Sequence, residues 1–239
     1  MNPLTFKAIG VKQFHKEDLA LAREMKDYEG VAISLGNVGK IHAHLQERQQ
    51  SADCFAEISK LAFHCKSRSM LIDGTSKQAT TYLSAQQAGK EHQELAKEAV
   101  RMLERVRVLR SGQEVHIKHW TDASKSILLP LAPPDNELNS PIHLQLLGLA
   151  YVSTRTRKGV ARGLRIYEEA FEKFVKLDDV SSQISIMLKK AQALWICPET
   201  HNKQKALDTM QQVADLTWRT HCDQTHDFLN VLHTLAVWN

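Results

Sequence analysis

The chain carries 12 histidines and four cysteines in 239 residues, so metal binding and catalysis are the first chemistries to weigh. His221, Cys222, Asp223 and His226 crowd little more than one helical turn, and imidazole, thiolate and carboxylate are all competent zinc ligands. Their spacing matches no familiar zinc motif. His116 and His119 stand three apart near Asp122. His42 and His44 stand two apart, which on a helix separates them by about 200° and prevents them from sharing an ion. Cys54, Cys65, Cys197 and Cys222 never form a CxxC pair, so neither a disulfide framework nor a zinc ribbon is implied and a reducing, cytoplasmic setting suits them. No phosphate-cradling glycine loop, nucleophile elbow or HExxH helix is present. No catalytic, cofactor-binding or metal residue is therefore assigned. The expectation is a non-enzymatic protein without a cofactor; the alternative is a metal-binding helical bundle or enzyme using His221, Cys222 and His226.

Basic residues form two clusters. One is Arg155, Arg157, Lys158, Arg162 and Arg165, the other Lys97, Arg101, Arg105, Arg107 and Arg110. Either suits an acidic partner, anionic lipid or phosphate, and a basic nucleic-acid-binding repeat is the second alternative. Glu168, Glu169 and Glu172 follow the first cluster, and Glu94, Glu98 and Glu104 interleave the second, as on ordinary solvated helix faces. The net charge is only +4, from 31 Lys plus Arg against 27 Asp plus Glu, and no aromatic residues alternate with the charges as a stacking platform requires. Nucleic acid is not expected.

The elements that would position these groups read as helices. Only 10 Gly and 6 Pro occur, 43% of residues are hydrophobic, and no apolar run approaches the roughly 18 residues of a membrane span. No membrane insertion is expected. The N-terminus, Met1 to Val11, lacks the pattern of a signal peptide. Apolar residues recur every three or four positions over Lys16–Lys26, Val31–Leu45 and Gln49–His64, with Tyr28–Gly30 read as a turn. Further runs cover Ser67–Ala85, a stretch ending at Leu109 before Ser111 and Gly112, Ile142–Ser153, Val160–Leu177, Val180–Ile196, Lys203–His221 and Thr225–Trp238. Between them, Val115–Leu129 reads as a helix, and Pro130, Pro133, Pro134 and Pro141 with Asp135 and Asn136 as an extended connection. Cys197 to Asn202 reads as a loop. Three parts follow: 1–110, 111–141 and 142–239. The apolar end, Leu235–Trp238, is expected to reflect a truncated product, with packing on a partner as the other reading.

Helix pairs at a period in the mid-thirties mark a tetratricopeptide solenoid. The stretch from Leu19 through Glu29-Gly30 to Val31-Ala-Ile-Ser-Leu-Gly-Asn-Val-Gly39, continuing without a gap through His42, Leu45, Ser51, Phe55, Ile58 and Ala62, resembles tetratricopeptide units of the G-protein-signalling-modulator type. A weaker copy runs from Leu147-Gly148 and Tyr151 to Gly163, Leu164, Tyr167, Ala170 and Phe171, with about three extra residues assigned to the Arg155–Lys158 turn. A third is Ala193-Leu194 with Ala206, Met210 and Val213. In such units a small residue, here Gly39, admits its partner helix closely, and the Gly36-x-x-Gly39 pattern reads as helix packing.

The resemblance implies an all-α, right-handed superhelical solenoid that binds a peptide or helix of a partner protein along the first helices of its pairs. Carried onto the best unit, the groove positions are Ile33, Gly36, Asn37, Lys40, Ala43 and His44. The second unit offers Gln145, Leu146 and Leu149 instead, so a carboxylate clamp spread over several units is not expected. The chain reads as a cytoplasmic interaction scaffold or adaptor.

Overall fold

The computed structural model describes residues 3–84, 89–118, 126–132, 141–196, 200–219 and 237. Among them are nine helices and one two-stranded sheet: α1 Pro3–Glu24, α2 Tyr28–His44, α3 Arg48–His64, α4 Arg68–Leu83, α5 Lys90–Arg110, β1 Val115–Lys118, β2 Ser126–Leu129, α6 Pro141–Ser153, α7 Arg157–Lys176, α8 Val180–Ile196 and α9 Thr200–Arg219. The chain forms two compact units, Met1–Leu138 and Asn139–Asn239. Within each, every helix packs on the next one in sequence, and the first helices of successive pairs, α2 with α4 and α6 with α8, also touch. This is helix-pair stacking of the tetratricopeptide kind.

One turn recurs at the joints. Lys26, Gln46, Lys66, Arg155 and Asp178 each adopt a left-handed conformation, φ between 51° and 61°, in a three-residue link. In the second of these, Gln46 N–H donates to Ala43 O and Glu47 N–H to His42 O, and the pairs Lys66–Phe63, Ser67–Ala62, Asp178–Val175 and Asp179–Phe174 repeat the pattern. Such bonds satisfy the carbonyls that a helix end leaves open. The third residue then caps the next helix: Asp27 accepts from Gly30 N–H, Ser67 from Met70, Thr156 from Gly159 and Asp179 from Ser182. Tyr28–Gly30, expected as a turn, is instead the first turn of α2. Gly30 serves the cap, because a Cβ there would meet Asp27 Oδ2 at 2.4 Å.

Apolar burial follows the helical period. Val31, Leu35, Phe55 and Ile58 form one cluster, against which Leu19 and Ala22 of α1 pack. Ile184, Ala191, Met210 and Val213 form another between α8 and α9. The segment 67–109, almost without the repeat signature, nonetheless packs as the pair α4–α5.

The expected helix at Val115–Leu129 is not formed. Its two ends pair as antiparallel strands, from Val115 opposite Leu129 to Lys118 opposite Ser126. Ile117, Ile127 and Leu129 bury beside Ala62, Phe63, Leu71 and Leu109, while His116, Lys118, Ser126 and Leu128 face solvent. That alternation has the period of a strand. Arg68 holds the hairpin's base, donating to Leu109 O at 2.6 Å and to Gln113 O and Pro130 O at 2.8 Å. Thr200–Asn202, expected at the end of a loop, already belongs to α9. The expectations at Pro133–Asn136 and Cys197–Glu199 concern residues outside those described, as does the helix expected at Thr225–Trp238 apart from Val237.

Candidate functional site

The α2–α3 pair explains the stripe that α2 leaves open. Val31, Leu35, Val38, Gly39 and His42 turn inward and are buried. Gly39 is required there: an added Cβ would meet the Phe55 ring at 2.9 Å and Cys54 Cβ at 3.2 Å. Cys54 is half-buried, and burial pushes its thiol above the ordinary range, which leaves it a packing group. Gly36 has no such constraint, since its nearest neighbours, Ile58 Cδ1 and Lys77 Nζ, would lie at 3.9 Å. The close-packing reading therefore holds for Gly39 and not for Gly36.

Ile33, Asn37 and Lys40 occupy the open face of α2, at helical spacing. Together with Gly36 they form one wall of a cleft of about 320 Å³ whose other wall is Ser69, Met70, Asp73 and Lys77 of α4, over Ile58 of α3. Ile33 is 60% exposed. Lys77 pairs with Asp73 at 2.6 Å across one turn of α4, so that wall presents a fixed ion pair. Ala43 and His44 are exposed at the end of α2 and do not line the cleft. The α4 wall was not anticipated. Its signal was the cap: Cys65-Lys66-Ser67 repeats the turn of Met25-Lys26-Asp27 and announces another helix.

In the second unit, Ile142 is 68% exposed at the position of α6 that matches Ile33, each six residues before a packed glycine. Its neighbours differ. Gln145 donates to Ser185 Oγ at 3.2 Å, joining α6 to α8, and Leu146 and Leu149 are half-buried. The turn before α7, Thr154–Thr156, is as short as that before α3. The three extra residues expected in it lie inside α7.

The first basic cluster is exposed throughout but not uniform. Arg155 is the left-handed turn residue, Arg157 and Lys158 open α7, and the Arg162 guanidinium lies 4.8 Å from the centre of the Tyr151 ring. Glu168 turns away to Lys190 of α8. In the second cluster Lys97 pairs with Glu94 and Arg101 with Glu98, both at 2.6 Å.

His42 is buried, and its Nδ1 lies 2.5 Å from Glu47 Oε2, which also accepts from Lys12 Nζ at 2.8 Å. These bonds, Lys12 first and His42 second, hold the Glu47 carboxyl below its ordinary value. His44 faces solvent and His116 stands on the open face of β1. His119, Asp122, His221, Cys222, Asp223 and His226 lie outside the described residues. Among those described, no group of three His, Cys, Asp or Glu is arranged to hold a metal ion, and no helix is long and apolar enough to cross a membrane.

No family model and no curated protein matches this sequence. Among solved structures, the nearly identical TPR-like repeats of a Podosopora anserina putative kinesin light chain superpose with a TM-score of 0.64, covering 90% of this chain and 88% of that one at 14% identity. The chain has the tetratricopeptide-like fold. At that identity the likeness speaks for the fold alone.

Proposed function

We propose that this chain is a non-enzymatic interaction scaffold that takes a peptide or helix of a partner protein along the cleft between α2 and α4. Tetratricopeptide-like repeats are in general protein-interaction scaffolds, and their fold is typically non-enzymatic. The observation that carries the finer reading is the composition of this cleft: an exposed Ile33 beside Asn37 and Lys40 on one rigid wall, and the Asp73–Lys77 pair on the other. Ile33 supplies an apolar anchor worth roughly 1–2 kcal/mol on full burial. Asn37 offers both donor and acceptor to a peptide backbone, and Lys40 offers a charge to an acidic group. Both walls are helices braced by α3, so little order is lost on binding. The gapless motif from Leu19 to Ala62 supports repeats of the G-protein-signalling-modulator type. The ion pairing of Lys97 and Arg101 supports a partner other than nucleic acid.

Selection of peptides from a random library on the intact chain tests this reading. Selected peptides are expected to lose at least about tenfold in affinity for an Ile33→Glu/Asn37→Ala variant with an unchanged melting profile. Peptides that bind the variant as well as the parent would remove the cleft from the binding site.

A further inference from the structure

A second surface, on α1, is independent of the cleft. Val11, Phe14 and Leu21 are 43%, 61% and 56% exposed, and Met25, just past the end of α1, is 70% exposed. With Asp18 they fall within an arc of about 80° on a helix that advances about 100° per residue. Four large apolar side chains on one open helix face exceed the scattered exposure of an ordinary surface. The opposite side of α1 is engaged within its own unit. Leu19 and Ala22 pack on the α2–α3 cluster, Lys12 reaches Glu47, and Arg23 reaches Glu57 of α3.

Over the stripe itself, Val11–Met25, charge is segregated with the same geometry. Lys12 and Arg23 are drawn to the side of α2 and α3, and Lys16 lies on that side by its position. Glu17, Asp18 and Glu24 lie on or beside the apolar stripe. Gln13 donates to Glu17 at 3.0 Å, and His15 Nδ1 is 3.4 Å from Asp18. Over that stretch the open face is therefore apolar with an acidic border.

Two occupants fit this face poorly. A second copy packed antiparallel across the stripe would set Asp18 opposite Asp18, and parallel packing would set each carboxylate beside its twin. A membrane surface attracts helices whose polar border is rich in Lys and Arg, the reverse of this one. A helix with a leucine-type stripe and a basic border meets both the apolar and the acidic features. We propose that the outer face of α1 is a docking surface for a basic amphipathic helix of a partner protein.

The test uses the full chain and two fluorescein-labelled synthetic helices, one of leucine and lysine in heptad order and one with glutamate for each lysine, read by anisotropy. The lysine helix is expected to bind and the glutamate helix not. Phe14→Gln with Leu21→Gln should weaken binding at least about tenfold. Glu17→Lys with Asp18→Lys should weaken the lysine helix and admit the glutamate helix. Val175→Gln with Leu177→Gln, at exposed positions in α7 and at its C-cap, and Ile33→Glu with Asn37→Ala, in the cleft, should leave binding unchanged. All variants change exposed or half-exposed side chains, and their thermal melts by circular dichroism check the fold. Binding of the lysine helix that ignores the α1 substitutions overturns the proposal. So does a parent dimer in sedimentation, or adhesion to phosphatidylserine vesicles, that Phe14→Gln/Leu21→Gln abolishes.

Discussion

The α2–α3 and α6–α7 pairs solve the same packing problem with different residues. In the first, Gly39 lies under the Phe55 ring and meets only side chains. In the second, Gly148 lies under the Tyr167 ring, and Gly163 faces it so closely that an added Cβ would stand 2.9 Å from Gly148 O and 2.7 Å from Val152 Cγ2. One crossing is set by side chains alone and the other by a ring together with two close backbones. The outward faces differ in parallel: α2 presents Asn37 and Lys40 where α6 presents Leu146 and Leu149. A repeat fold thus keeps its inward contacts by compensating volumes while its outward stripe varies, and the stripe is where partner choice resides.

Alanine at the two crossings separates them. Overpacking costs about 1–3 kcal/mol, and Gly→Ala in a helix interior returns about 1 kcal/mol. Gly163→Ala presses on backbone that cannot step aside, so a net loss of about 2 kcal/mol is expected. Gly39→Ala presses on a ring that can tilt, so the change should stay within about 0.5 kcal/mol. Urea unfolding with hydrogen exchange followed in each unit measures both. Equal losses at the two sites would show that Phe55 is as fixed as the backbone and would erase the distinction.

Acid distinguishes the two units by a smaller effect. Glu47 and Asp179 both have carboxyls held below the ordinary value, Glu47 by Lys12 and then His42, Asp179 by the side-chain and then the backbone bond to Ser182. A carboxyl depressed in the folded state contributes stability that is complete above its unfolded value and is lost as pH falls through its folded value. Both contributions should therefore begin to fade as pH falls into the usual carboxylate range and be lost below it. Glu47 joins α1 to the end of α2, whereas Asp179 caps only its own helix. Glu47→Gln should flatten the acid limb in the first unit and speed hydrogen exchange in α1, while Asp179→Asn, which keeps a capping oxygen, should leave exchange in α8 close to that of the parent. Unchanged α1 exchange in Glu47→Gln would show that packing of Leu19 and Ala22 alone retains that helix.

Much of this organisation was readable from residue spacing. The period of Val31, Leu35 and Val38, and of Phe55, Ile58 and Ala62, places the inward faces of α2 and α3, whereas Ile33, Asn37 and Lys40 as groove positions came with the resemblance to tetratricopeptide units. Three features were not readable by that rule. The α4 wall of the cleft lies in a segment whose period is blurred by Thr75, Gln78 and Thr81, polar residues that face inward or line clefts. The hairpin hides because Val115–Lys118 and Ser126–Leu129 are each too short for a two-residue period to outweigh a helical one. The turns hide because their left-handed position holds Lys, Gln, Arg or Asp, never the glycine that usually marks a helix end.

That last feature yields the smallest effect and the finest comparison. A left-handed conformation costs a residue with a Cβ roughly 1–2 kcal/mol, and glycine loses about 0.5–1 kcal/mol more backbone entropy on folding. Gln46→Gly and Arg155→Gly should therefore each stabilise by about 0.5 kcal/mol. Equal gains, read as shifts in the urea midpoint, would show that both residues only complete the turn. A loss in Arg155→Gly alone would show that the Arg155 guanidinium contributes to the folded second unit beyond its backbone role. Its place in the basic cluster would then rest on a structural contact, and Lys158 and Arg165 would be left as the residues available to an acidic partner.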